Sequence, residues 1–397
     1  MKTKQLSEGW NEKKISEFTK VITGGTPSTM RKEYWERGDI PWLPSGDLKD
    51  KPIKSAHIFI TKDGLKNSAA QIMPKKSVLI ALTGATTGQT ALLEIEASAN
   101  QSVTGILPSK EHIPEFLFYY LRTIRNKILS QTYGGAQPHI SQGFVKNLII
   151  QLPPLKVQKA IVSILEKVES LKKKREQANK LADEYLKSVF WGMFLKDRNN
   201  FEEVELGDVC EINPKKSEIE KVDRDTNISF VPMEDMGEHN IYFEPKRIKK
   251  INEVYSGYTY FKEKDILLAK VTPCFENGKS GIARGLKNNI GFGSSEYHVL
   301  RVSKNILPEL VYYFISSGSF INSGKTQLTG TGGLRRLPRS YVANFKIPLP
   351  PLQLQQKFAS IVEQVEKLKE KQKQSKEEIN TLFDSLMQKA FRGELVG

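Results

Sequence analysis

A long-period internal repeat constrains this chain more than any local motif. The segment LPPLKVQKAIVSILEKVESLKKK starts at Leu152, and LPPLQLQQKFASIVEQVEKLKEK starts at Leu349. They align without a gap at an offset of 197, with 13 of 23 positions identical. A repeat of this kind must be settled first, because each copy is one structural unit. Pro153-Pro154 and Pro350-Pro351 hold the chain extended and then seat a helix start, where a missing N–H costs nothing. Behind them the apolar residues alternate in steps of three and four. The first copy gives Ile161, Ile164, Val168 and Leu171, and the second gives Phe358, Ile361, Val365 and Leu368. That spacing predicts a coiled-coil seam. Each helix runs for about 40 residues, roughly 60 Å at 1.5 Å per residue. Such helices pack either on their own globular domains or on each other, and the seam predicts the second. The polar interruptions Arg175/Ala178 and Gln372/Ser375 fall near the middle of both. An antiparallel pair brings those middles together, and a polar layer there fixes register.

The chain has 397 residues, enough for two to three domains. Its net charge is +15, with 20 basic and 13 acidic residues over 1–150, and 11 and 6 over 151–200. The basic excess therefore sits in the first half, and it points to a polyanion, nucleic acid before membrane. No run approaches 18 apolar residues, so no membrane span is expected. The opening MKTKQLSEGWNEKK has no apolar core of a signal peptide. Cys210 and Cys274 stand alone, without CxxC spacing. They predict neither a disulfide framework nor a zinc site and suit a reducing cytoplasm. The five His residues are scattered, so no metal site is expected.

Between the repeats the chain divides into residues 1–150, a first long helix at 151–197, residues 198–345, and a second long helix at 346–397. The two globular segments echo each other. Strand-like Val78-Leu79-Ile80-Ala81 matches Ile266-Leu267-Leu268-Ala269, and PEFLFYYL from Pro114 matches PELVYYFI from Pro308. The predicted fold class is α+β: two β-rich mixed domains alternating with two long helices that form an antiparallel coiled coil, a pseudo-twofold tandem duplication.

The motifs describe binding rather than catalysis. Asn277-Gly278-Lys279-Ser280 resembles the end of a phosphate-binding loop, but Pro273 stands where that loop needs its first glycine. The aligned Gly88-Gln89-Thr90 has no lysine. Nucleotide hydrolysis is therefore not expected. The duplicated glycine loop reads either as a plain hairpin turn or as a backbone approach to a phosphodiester, with Lys279 on a phosphate. No G-x-G-x-x-G follows a strand, and Asn213-Pro214-Lys215-Lys216 lacks the aromatic of an adenine-methylating site. Arg335 and Arg336 form a basic loop before the second long helix, with Gln137 and His139 in the equivalent loop of the first copy. Arg offers a bidentate contact to guanine. The candidate DNA contacts are Thr26, Ser45, Thr83, Gly88, Gln89, Gln137, His139, Lys270, Gly278, Lys279, Ser280, Arg335 and Arg336.

Together these residues resemble a known family. Gly134-Gly135-Ala136-Gln137-Pro138-His139 before Leu152-Pro153-Pro154-Leu155…Gln158, then Gly332-Gly333 before Leu349-Pro350-Pro351-Leu352…Gln355, carry the likeness. The chain resembles the specificity (S) subunit of type I restriction–modification systems over essentially its whole length. The resemblance implies that each globular segment is a target recognition domain reading one half of a bipartite, asymmetric DNA target. It implies two methyltransferase (M) subunits and restriction (R) subunits as partners, double-stranded DNA as ligand, and no membrane. It implies no catalysis and no cofactor in this chain, with S-adenosylmethionine, ATP and Mg in the partner subunits. Gln158, Gln355, Phe194, Phe391 and Gly393 are then the candidate subunit contacts. Two other readings stay open: a coiled-coil scaffold, as in an orphan S subunit without specific DNA readout, or a nuclease with an unrecognised centre.

Overall fold

The computed structural model describes residues 9–132, 138–238, 240–331 and 333–395. Four helices matter below: α1 (Pro114–Thr123), α2 (Leu155–Phe190), α3 (Pro308–Ile315) and α4 (Leu352–Ala390). The chain forms two compact units. One comprises Met1–Glu176 with Gln374–Gly397, and the other Gln177–Lys373.

In the first unit a five-stranded sheet runs in the order Val21–Thr23, Val103–Ile106, Val78–Ala81, Thr90–Leu93, Lys51–Ile53. Its last pair is parallel and the others antiparallel. The three central strands are buried on both faces, which explains the unbroken apolar run of Val78–Ala81. A three-stranded sheet of Ile58–Ile60, Ile40–Leu43 and Ser98–Ala99 accompanies it. Pro114 starts α1 from the first helical turn, and six consecutive residues, Phe116 to Leu121, are buried. They share one core with Ile161, Val162, Leu165 and Val168 of α2 and with Phe383, Met387 and Ala390 of α4. The two long helices run antiparallel here. Lys172 lies over the Phe383 ring at 4.0 Å, and Glu176 lies 3.7 Å from Lys376, so position rises in α2 as it falls in α4.

The second unit repeats the plan. Its five-stranded sheet runs Cys210–Ile212, Tyr297–Val302, Ile266–Ala269, Ser280–Ala283, Tyr242–Phe243. A four-stranded sheet orders Arg247–Lys250, Asn227–Val231, Ile290–Gly293 and Thr259–Lys262. The end of α2 and the start of α4 pack antiparallel against α3. Asp183 bonds Lys369 at 2.9 Å, and the rings of Phe190 and Phe194 lie 5.7 and 5.2 Å from Phe358.

The coiled coil differs from the expected seam in one respect. Leu171 and Leu368 are each 50% exposed, and Ile164, Ile361 and Val365 are only partly buried. The buried stripe follows Ile161, Leu165 and Val168 in α2, with Phe358 and Val362 in α4. The reason is that each helix serves two neighbours. Besides the opposite long helix, α2 meets α1, where Glu169 accepts from Tyr119 Oη at 2.9 Å and from Arg122 at 3.0 Å. A stripe facing between two partners is wider than a two-helix seam and centred elsewhere.

Four of the five residues expected at subunit contacts lie inside the protein. Gln158 is fully buried; its Oε1 accepts from Ile113 N–H at 2.7 Å and its Nε2 donates to Pro153 O at 2.8 Å and Glu111 O at 3.3 Å. Gln355 repeats this, accepting from Leu307 N–H at 2.8 Å and donating to Pro350 O at 2.8 Å and Asn305 O at 3.0 Å. Each glutamine thus ties the diproline to the residue before α1 or α3. Phe194 is fully buried, and Phe391 packs edge-on against Phe116 and Tyr120 at 5.3 and 5.2 Å. These two aromatics close the cores of their units. Gly393 takes φ +72° in the turn after α4, a conformation that suits glycine.

Candidate nucleic-acid interface

Each central buried strand ends in a loop that returns through a left-handed glycine. In the first unit the chain leaves Val78–Ala81 and comes back at Gly88, with φ +73°. In the second it leaves Ile266–Ala269 and comes back at Gly278, with φ +70°. A side chain at either position is strained, so the turn accounts for both glycines. Gln89 O accepts from Ala81 N–H, and Lys279 O accepts from Ala269 N–H, both at 2.9 Å. Gln89 and Lys279 are therefore structural equivalents.

The segment before each long helix's diproline is stitched to this loop. In the first unit Gly84 N–H donates to Pro138 O at 3.1 Å and Ile140 N–H donates to Leu82 O at 2.9 Å, so Thr83 bridges His139. In the second unit Thr272 N–H donates to Arg335 O at 2.9 Å and Leu337 N–H donates to Lys270 O at 2.8 Å, so Val271 bridges Arg336. Thr272 also accepts from Arg335 N–H through its hydroxyl at 3.0 Å. Backbone pairing leaves the side chains of His139, Arg335 and Arg336 exposed on a fixed frame.

This pairing gathers many of the expected contacts and redefines several. Thr83, Gly88, Gln89 and His139 meet in the first unit; Lys270, Gly278, Lys279, Ser280, Arg335 and Arg336 meet in the second. Gly88, Gly278 and Ser280 are buried. The Ser280 hydroxyl donates to Gly278 O at 3.4 Å, so it shapes the turn instead of facing a ligand. Lys279 is half-buried, and its Nζ donates to Met233 O at 3.3 Å, which turns the expected phosphate contact inward. A lysine beside a left-handed glycine looks like an anion ligand in sequence, but here a neighbouring carbonyl holds it. Thr26 donates to Gln101, and Ser45 opens the turn Ser45–Asp47; neither is joined by this pairing. Gln137 lies outside the described residues.

One participant has no signal in the local sequence. Glu296 receives Arg336 side-on: Nε donates to Oε2 at 2.9 Å and Nη2 donates to Oε1 at 2.8 Å. Those hydrogen bonds, then the nearby charges of Arg336 and Lys270, hold its carboxyl below the usual carboxylate range against the opposing effect of burial. Just beneath, His298 donates from Nε2 to Leu337 O at 2.8 Å, and burial lowers its pKa. Glu296 directly precedes the buried strand Tyr297–Val302, a position that the duplication aligns with Ser102.

The electrostatic contrast between the units is sharp. The loop from Thr83 to Gln89 carries no charged side chain, whereas Lys270 to Lys279 and the paired Arg335-Arg336 carry four basic groups and one acidic group, Glu276. The geometry is a pair of matching frames that present different side chains.

Known proteins share this plan. A solved chain from a study of complex assembly and conformational transition of the type I R-M system matches with a TM-score of 0.63 at 19% identity, covering 98% of this chain and 100% of that one. The type I restriction-modification system S subunit from M. genitalium matches with a TM-score of 0.52 at 14% identity, covering 98% of each. Both likenesses concern the fold. In sequence, the type I restriction enzyme MjaIX specificity subunit of Methanocaldococcus jannaschii is 25% identical over 425 residues, covering 98% of this chain and 94% of that protein. The type I restriction enzyme EcoEI specificity subunit of Escherichia coli is 41% identical over 152 residues, which span 38% of this chain and only 25% of that relative. The model of the type I restriction modification DNA specificity domain matches residues 7–181 and 198–381. With both repeats matched, the chain belongs to the family of type I restriction–modification DNA specificity subunits.

Proposed function

We propose that this chain is the DNA-reading subunit of a type I restriction–modification complex. Residues 1–150 and 198–345 serve as its target recognition domains, and each reads one half of a bipartite, asymmetric duplex target. The helices at 151–197 and 346–397 space the two readers and scaffold two methyltransferase subunits, with restriction subunits joining for cleavage. The chain itself carries out no chemistry; S-adenosylmethionine, ATP and Mg belong to its partners. The complex works in the cytoplasm, consistent with described helices that are nowhere long and apolar enough to cross a membrane.

The observation that carries this reading is the paired-loop frame, built twice with the same backbone bonds and different exposed side chains. A frame that is constant while its side chains differ suits two readers of unlike half-sites, since base edges are discriminated by side-chain donors and acceptors. The net charge of +15 supplies the phosphate attraction that sequence readout needs.

Binding of the chain, assembled with its methyltransferase subunits, to labelled duplexes tests the proposal. Affinity falls linearly with salt on a log–log plot, and one duplex sequence is preferred over random competitor by about a thousandfold or more. Equal affinity for all duplexes refutes sequence readout and leaves the scaffold reading.

A further inference from the structure

The two units can be superposed bond by bond around the pair Glu296–Arg336. Lys270 N–H donates to Glu296 O at 2.9 Å, as Leu82 N–H donates to Ser102 O at 2.8 Å. Glu296 N–H donates to the Ser294 hydroxyl at 3.2 Å, as Ser102 N–H donates to Asn100 Oδ1 at 3.1 Å. Arg336 and His139 occupy the same bridge position. One structural position pair therefore holds Glu and Arg in one unit and Ser and His in the other.

The ion pair is not needed to hold its loop. Arg336 N–H donates to Thr329 O at 2.7 Å and Thr329 N–H returns to Arg336 O at 3.0 Å, while Leu337 N–H is bonded to Lys270 O. The Arg336 and Glu296 side chains are 47% and 26% exposed, and an exposed ion pair adds little to stability. What the pair does fix is direction. Glu296 occupies the Nε–Nη2 edge of the guanidinium. The Nη1–Nη2 end edge makes no other hydrogen bond among the described residues, and that edge matches O6 and N7 of guanine.

We infer that Glu296 is a positioning residue that aims Arg336 at a guanine in one half-site, and that positions 102/139 and 296/336 are equivalent specificity-determining pairs. This rests on the DNA-reading function proposed above. Arg336 donates two hydrogen bonds to one base from the end edge while Glu296 keeps the guanidinium plane from rotating. An unrestrained arginine of equal charge reads the base less selectively, because orientation is fixed only at the moment of binding.

The test uses the assembled methyltransferase complex and a library of duplexes randomised through both half-sites, with methylated members sequenced. Arg336→Ala and Arg336→Lys lower the preference for guanine at a single position of one half-site, by about 5- to 150-fold. Glu296→Ala lowers it at the same position, Glu296→Gln does so less, and Glu296→Ala with Arg336→Ala is no worse than Arg336→Ala alone. Preferences in the other half-site stay unchanged, which separates lost readout from lost folding. Ser102→Glu with His139→Arg then shifts one position of that other half-site towards guanine. Uniform weakening at every position, or effects of Glu296 and Arg336 at different positions, overturns the inference while leaving the DNA-reading function intact. A wild-type complex with no sequence preference removes that function and the inference with it.

Discussion

Replacing Gln158 by Ala tests whether this glutamine is an internal clamp or a subunit contact. Three groups lose a partner: Ile113 N–H, Pro153 O and Glu111 O. Glu111 is exposed, so water replaces the glutamine on its carbonyl. Pro153 is buried and Ile113 is partly so, and each is left with an unmet polar group. An unsatisfied buried donor or acceptor costs about 1–3 kcal/mol, so the loss from the two groups is about 2–6 kcal/mol, with the small cavity left by the side chain placing it towards the upper end. For a unit of this size, each kcal/mol lowers Tm by about 2–4 °C. Urea unfolding and thermal melts of the isolated chain measure it. Gln355→Ala gives a matching loss, because its bonds repeat those of Gln158. A Gln158→Ala chain of unchanged stability that fails to bind methyltransferase subunits refutes the clamp and restores the surface role.

Further outcomes follow from burial and charge. Burial pushes His112 down to about 4 from its ordinary 6.5. The unfolded chain therefore takes up a proton near pH 6.5 and the native ring only near pH 4. Stability falls by about 3 kcal/mol as pH drops through that window and levels off below it. His112→Gln flattens that part of a pH series of urea midpoints, and an unchanged slope contradicts the assignment. Leu165, fully buried, costs about 2–5 kcal/mol as Ala, whereas half-exposed Leu171 costs clearly less in the same melts; equal losses return the stripe to the expected seam. Arg335→Ala reduces the log–log salt slope of duplex binding by about one unit, the loss of one phosphate contact from an exposed basic side chain, and an unchanged slope refutes that contact.

Much of the architecture is visible in the residues. The LPPL repeat announces the duplication, the strands Val78–Ala81 and Ile266–Ala269 stand where their apolar runs place them, and the matched segments from Pro114 and Pro308 both form helices. The face of each long helix was less legible. Period alone puts Leu165 and Leu171 on opposite flanks of the Ile161–Val168 row, and only the presence of α1 beside α2 decides which is covered. Gln158 misled for a similar reason. Only the family resemblance offers it as a subunit contact, and its principal partner Ile113 lies 45 residues away, beyond the reach of any local pattern. The loops follow the same logic: the glycines stand out because they resemble the end of a phosphate-binding loop, but Glu296 meets Arg336 across 40 residues, a separation that no local pattern encodes.

The most direct test of the central claim is a genome-wide map of methylated adenines in cells carrying this chain and its methyltransferase subunits, beside cells in which the loops Thr83–Gln89 and Pro138–Ile140 are replaced. The account predicts one discontinuous motif with two unlike halves around an unread spacer, and replacement of the loops changes only one half. A continuous or palindromic motif, or a motif that is indifferent to the loop replacement, contradicts it.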